Sequence, residues 1–216
     1  MDKTIEYVFS LFIESPAWPI VIDMAKVAFA TFVGALSAFQ IEKSHKRHLE
    51  KLQNFRSAKN ALFTFSSQYQ ALFAMNRQHL LPHKEEELRA FTLIPFSNFT
   101  ETPEIDLNSL LFILDSDKPN LLNEIIIENQ KFQSTIGVLN ERNRVHLKFQ
   151  DMVARTGNVD PSTKEILFNH TDSLYLSVEE SMKSSLEIVK KISDFMKIYY
   201  KKGKPLKFEP PKLEAL

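Results

Sequence analysis

Histidine and carboxylate side chains occur in two groups whose spacing suits a metal ion. Glu42, His45 and His48 follow one another at three-residue intervals, and His79 lies four residues before His83. Residues three or four apart share one face of a helix, so either group offers ligands to a single ion. Neither group has its remaining ligands placed by the sequence, and a proline interrupts the second. Such pairs arise freely on charged helices, so we predict no metal site and no cofactor.

Arg142 and His146, in the stretch ERNRVH, are a candidate acid–base pair. The stretch resembles the Arg-Asn-x-x-x-x-His pattern that is typical of the helical HEPN ribonucleases. The interval is too short here, so the two side chains share a helix face without the register of that family. Because geometry must precede chemistry in assigning an acid–base pair, a ribonuclease is kept only as an alternative.

The composition argues against several other classes of enzyme. The chain has 216 residues, with 27 Lys and Arg against 27 Asp and Glu, no cysteine and four glycines. Without cysteine there are no disulfides, no thiolate metal sites and no cysteine nucleophile. So few glycines form neither of the common glycine-rich phosphate loops. Zero net charge argues against an evenly basic nucleic-acid-binding protein.

The element that organises the chain is an apolar stretch over residues 18–41. At about 1.5 Å per residue, a helix from Ile20 to Ile41 extends for about 33 Å, which is enough to cross a hydrocarbon core of about 30 Å. Only Asp23 and Lys26 carry charge, and their spacing lets them pair on one face. These charges favour the alternative of a buried core helix in a soluble protein. Length and flanking charges together favour a transmembrane helix.

Small residues recur every fourth position within this stretch, at Ala30, Gly34 and Ala38. On a helix they expose backbone along one face, where another membrane helix can approach closely. Small residues are also common in any membrane helix, and the two explanations are equally weighted. If the face is a contact surface, Gly34 lies at its centre. Asp23 and Lys26 then lie toward the outer mouth of a helix assembly, where intramembrane charges most often have functional meaning.

Cations on the C-terminal side of the stretch indicate its orientation. Lys43, Lys46, Arg47 and Lys51 follow it closely, whereas acidic residues predominate before it. This asymmetry is typical of a segment whose C-terminal side stays in the cytoplasm. We therefore predict a single-pass protein, with residues 1–17 outside the cytoplasm or in the outer interface.

A second cationic cluster near the C-terminus contains Lys201, Lys202 and Lys204. We expect both clusters to contact anionic lipid, because the first lies directly below the membrane, where each charge contributes about 1 kcal/mol. Nucleic acid is the less favoured alternative, since its phosphates offer the same chemistry.

Residues 42–203 are predicted to form an antiparallel helical bundle in the cytoplasm, followed by a flexible proline- and lysine-rich tail over 204–216. No strand pattern of any length occurs, so the predicted fold class is all-α. The first helix should continue to Leu81, just before a proline. Asp117 and Asp160 are expected to act as N-caps of two later helices, which open at Pro119 and Pro161.

The helix after Pro119 carries polar residues on its seam, at Asn129, Asn143 and His146. Polar seam residues usually fix register or partner choice, so this seam is a candidate surface for a protein partner. An exposed seam beyond the bundle is the simpler explanation for Asn143 and His146. The last helix repeats core-type residues every seven positions, with small polar residues in the middle of both rows.

The order of these parts supports one resemblance. It consists of an outward N-terminus, the stretch VAFATFVGALSAFQIEKSHKRHLEKL, and then IDLNSLLFILDSDKPNLLNEIIIENQKFQSTIGVLNERNR. This layout resembles a large group of short bacterial inner-membrane proteins. Some of that group are similar to membrane effectors encoded beside retron reverse transcriptases and in other anti-phage operons. Those effectors are often described with two spanning helices, whereas this sequence has one.

The resemblance implies a toxin-like protein of the bacterial inner membrane that a regulatory protein or ribonucleoprotein complex holds silent. On release it would form homo-oligomers, damage the membrane and arrest or kill the infected cell. Two alternatives stay open. One is a membrane-tethered scaffold or sensor that binds a protein partner through its helical domain, and the other is the helical ribonuclease.

Overall fold

The computed structural model describes residues 18–96 and 105–199. Every regular element in this part of the chain is helical and no strand occurs in it, so the all-α fold class is confirmed. The bounds of the α-helices are α1 Trp18–Met75, α2 Arg89–Thr92, α3 Asn120–Thr156 and α4 Pro161–Tyr199. The predicted outer segment 1–17 and the predicted tail 204–216 lie outside the described residues.

Helix α1 is uninterrupted from Trp18 to Met75 and then changes type. A π-helix, Asn76–Leu80, and a 3₁₀ helix, Leu81–His83, follow it. Pro82 explains the change, because proline lacks the N–H that an α-helix needs and its ring collides with the carbonyl four residues earlier. The helical backbone thus ends close to the predicted Leu81, but its last turns are not α-helical.

The chain divides into two structural units, Met1–Leu52 and Gln53–Leu216. In the first unit, the described part is the N-terminal portion of α1. In the second unit, the rest of α1 packs with α3 and α4 around an apolar core. We call this second unit the helical domain.

Core packing gives the directions of the three long helices within the helical domain. One cluster combines early domain residues of α1 and α3 with late residues of α4: Ala58, Leu122 and Ile192. Another combines later residues of α1 and α3 with middle residues of α4: Leu72, Leu139 and Val178. Helices α1 and α3 therefore run in the same direction, and α4 runs antiparallel to both. The predicted antiparallel arrangement holds for α4, whereas α1 and α3 are parallel.

The ends of α3 and α4 follow different rules. Asp160 caps α4 as predicted, since its carboxylate accepts hydrogen bonds from the N–H and the hydroxyl of Ser162. These bonds lower the pKa of Asp160. Gly157 ends α3 with φ 65°, a left-handed conformation that suits glycine. The predicted cap at Asp117 is wrong, because the N-cap position of α3 is Pro119 and no side chain caps it.

The connection between α1 and α3 is tied to α4. The Tyr175 hydroxyl donates to the carbonyl of Leu80 at 2.7 Å. Arg89 of α2 donates to Asp172 at 2.9 Å, and its guanidinium lies 5.0 Å from the centre of the Tyr175 ring. Further along, the 3₁₀ helix Asn108–Ile113 buries two apolar side chains in the core. The connection thus closes the bundle as packed structure.

Candidate functional site

The apolar N-terminal portion of α1 is the first candidate site, because the described chain covers none of it. Val27, Phe29 and Ile41 are 67%, 70% and 70% exposed. Among the described residues, this helix is long and apolar enough to cross a membrane. The hydroxyls of Thr31 and Ser37 each donate at 2.8 Å to a carbonyl one turn earlier, which satisfies them where water is absent. The alternative of a buried core helix therefore does not fit.

The small residues of this segment lie on one exposed face of α1. Ala30, Gly34 and Ala38 follow at four-residue intervals along an unbroken helix. A Cβ placed on Gly34 would meet no heavy atom within 4 Å. The face is therefore open to a second helix, and its use as a contact surface stays a prediction. Nearer the start of α1, Lys26 Nζ lies 3.0 Å from Asp23 Oδ1, the ion pair that their spacing predicts.

The cations after the segment are exposed and differ in their pairing. Lys46 Nζ lies 2.8 Å from Glu42 Oε1. No acidic partner within the described residues pairs with Lys43, Arg47 or Lys51, so these three present net positive charge. The second predicted cluster, Lys201, Lys202 and Lys204, lies outside the described residues.

The polar residues predicted as a partner seam are used inside the helical domain. Asn129 accepts a hydrogen bond from the Gln68 side chain at 3.3 Å, and Asn143 donates to the carbonyl of Phe96 at 2.7 Å. His146 is only 2% exposed. The exposed-seam explanation of Asn143 and His146 is therefore wrong. Their contacts hold α1, α3 and the connection together.

Arg142 is fully buried and holds the connection against α3 and α4. Its guanidinium donates to the carbonyls of Ala90, at 3.0 Å, and Leu93, and it lies 3.4 Å from the Thr171 hydroxyl. Burial lowers the pKa of Arg142 to about 10, so the side chain stays charged at neutral pH. Because Arg142 and His146 are both closed to solvent, they do not form an acid–base site that RNA could reach.

The histidines considered as metal ligands have other contacts. The His79 ring stacks on Phe96 with 4.2 Å between ring centres, and His83 Nδ1 lies 3.0 Å from Glu86 Oε1. Within residues 18–96 and 105–199, no three His, Asp or Glu side chains are placed to hold a metal ion together.

A polar column between α3 and α4 is a feature that the sequence suggests only on one side. Glu128, Thr135 and Arg142 stand seven residues apart on α3 and are buried. Ser185 donates to Glu128 Oε1 at 2.7 Å, and the hydroxyls of Thr135 and Ser181 lie 2.7 Å apart. The small polar residues in the α4 heptads indicate this column. Its α3 side has no such signal, because Glu128 and Arg142 have the residue types of an exposed face.

We predict that His146 makes the helical domain acid-sensitive. Its Nδ1 has no hydrogen-bond partner among the described residues, and burial and the charge of Arg142 lower its pKa to about 4. The unfolded chain binds this proton near pH 6.5, but the folded domain does so only near pH 4. Stability from this group is therefore complete above about pH 6.5. The free energy of unfolding should fall by about 1.4 kcal/mol for each pH unit below that value.

Denaturant unfolding in detergent, followed by near-ultraviolet circular dichroism of the tyrosines, measures this dependence. His146→Leu is the matched variant because it removes the titrating group and keeps an apolar side chain. Between about pH 7 and about pH 5, the original chain should lose about 2 kcal/mol more than the variant. Parallel pH profiles of the two chains would contradict the assignment.

No family model, curated protein or solved structure matches this chain. Function is therefore inferred from the chain's own residues and geometry.

Proposed function

We propose that this chain is a membrane-anchored effector of a bacterial anti-phage defence system, similar in layout to the retron-associated effectors. On activation it perturbs the inner membrane and causes growth arrest or cell death. A regulatory protein or a ribonucleoprotein complex holds it silent before activation. The helical domain lies in the cytoplasm and the N-terminus lies outside.

The observation that carries the proposal is the exposure of the apolar portion of α1. An apolar helix of this length is unstable in water unless it is covered, and the described chain does not cover it. A membrane supplies that cover. The cations Lys43, Lys46, Arg47 and Lys51 follow the segment, which supports a cytoplasmic position for its C-terminal side.

The disruptive step is assigned to the open face at Ala30, Gly34 and Ala38. Lipid gives no hydrophobic force between helices, so close backbone packing at small residues is a main route by which membrane helices associate. Association of several copies through this face would gather their Asp23–Lys26 pairs. Polar groups gathered within the membrane favour water entry. Membrane damage would follow from this assembly.

Induced expression in bacterial cells tests the proposal. The full chain is compared with a chain lacking residues 1–41 and with the full-length variant Val33→Arg/Leu36→Arg. Two arginines at mid-segment cost about 6 kcal/mol of insertion free energy and should prevent crossing. We expect growth arrest and entry of a membrane-impermeant dye only with the original chain.

The alternatives give different results in the same experiment. A helical nuclease remains toxic without residues 1–41, and dye does not enter the cells. A scaffold or sensor is harmless in all three forms, so absence of any effect would contradict the effector proposal.

A further inference from the structure

The bulky side chains of the apolar segment are segregated to one face of α1. Phe29, Phe32, Leu36 and Phe39 follow at alternating three- and four-residue intervals, the spacing of one helix face. The three phenylalanines are 61–70% exposed. At about 100° per residue, Gly34 lies about 200° from Phe32 and so on the opposite face. The segment therefore has a bulky face and a small-residue face.

The cations continue the bulky face beyond the apolar segment. Lys43 and Arg47 stand four and eight residues after Phe39, and Lys51 stands four residues after Arg47. All three are exposed, and none forms an ion pair with another described residue. The small-residue face continues differently, through side chains that include no lysine or arginine: Ile41, His45, His48, Leu49 and Leu52.

Two independent patterns thus mark the same side of one helix. Phenylalanine suits contact with acyl chains, and lysine and arginine suit contact with phosphate oxygens at the membrane surface. Lys43 to Lys51 extends for about 12 Å along the helix, which matches the headgroup layer together with a Debye length of about 8 Å. Nucleic acid would explain the cations but not their alignment with the phenylalanines.

We propose that the face from Phe29 to Lys51 is the lipid-facing surface of α1 and binds acidic phospholipid headgroups through Lys43, Arg47 and Lys51. This inference rests on the proposed membrane crossing. The opposite face, from Ala30 through Gly34 to Leu52, is turned away from lipid and toward a second copy of the chain. Acidic lipid therefore holds the helix in the rotation that presents Gly34 to that copy.

Insertion of the full chain from dilute detergent into vesicles tests the assignment. One vesicle contains phosphatidylcholine alone, and the other also contains phosphatidylglycerol as about a third of its lipid. Flotation gives the inserted fraction, and Trp18, the single tryptophan, reports insertion by its emission. Each cation contributes about fivefold near an anionic surface, so the triple variant Lys43→Gln/Arg47→Gln/Lys51→Gln should lose about a hundredfold preference for the acidic vesicle.

Two further variants separate a charged face from net charge. Glu42→Gln/Lys46→Gln removes an ion pair at constant net charge and should keep the preference. Adding His45→Lys, His48→Lys and Leu52→Lys to the triple variant returns three cations to the opposite face and should leave the preference lost. Recovery of the preference would overturn the face assignment.

The remaining outcomes distinguish this inference from the proposed function. Equal insertion of the original chain into both vesicles would overturn headgroup binding and leave membrane crossing intact. Failure to insert into either vesicle would overturn both. Cation-dependent binding of a single-stranded RNA probe, with no vesicle preference, would assign the face to nucleic acid and overturn the lipid assignment.

Discussion

Replacing Arg142 with methionine is expected to lower the free energy of unfolding of the helical domain by about 3 kcal/mol. The substitution leaves the buried carbonyls of Ala90 and Leu93 without the donor that satisfies them. An unsatisfied buried polar group costs about 1–3 kcal/mol, and two are created here. Methionine also removes the cost of burying a charge, which offsets part of this loss. The carbonyls dominate because their connection has no other link to Arg142's position.

Denaturant unfolding in detergent measures this effect, with two matched variants. Arg142→Lys keeps the charge, but a compact ammonium cannot reproduce the planar fork that reaches both carbonyls, so it should be destabilised nearly as much. Arg144→Met removes a neighbouring arginine whose ion pair with Glu141 is exposed, and its unfolding midpoint should hardly change. Equal midpoints for Arg142→Met and the original chain would show that Arg142 is not a structural link.

The membrane segment and the helices were predictable from sequence because their signals are local. An apolar run of spanning length and a proline at position 82 act on their own stretch of chain, whatever the tertiary structure. The cap at Asp160 has the same character. The relative directions of α1 and α3 were not predictable, since helical spacing gives the buried face of each helix and not the direction of its neighbour.

The buried polar residues were the least predictable part of the candidate site. Arg142 and His146 look like exposed or catalytic residues in sequence, and only the carbonyls of the distant connection explain why the arginine is buried. Asn129 and Asn143 were correctly identified as seam residues, but their partners, Gln68 and the Phe96 carbonyl, lie far away in sequence. Such contacts depend on tertiary packing, which periodicity does not encode.

The substitution Gly34→Leu is expected to abolish membrane damage while leaving insertion unchanged. A leucine at Gly34 fills the open space on the small-residue face and keeps a second backbone at a distance. Insertion should persist, because leucine is among the most favourable residues at the centre of a membrane helix. Ala25→Leu is the matched control. It adds a similar side chain about 900° along the helix, which is the opposite face.

Dye entry in cells that express the original chain, Gly34→Leu or Ala25→Leu, with the inserted amount of each measured in parallel, tests the central claim most directly. The account predicts dye entry and growth arrest with the original chain and with Ala25→Leu, and neither with Gly34→Leu at equal insertion. Equal dye entry from an inserted Gly34→Leu chain would contradict the assignment of membrane damage to this face.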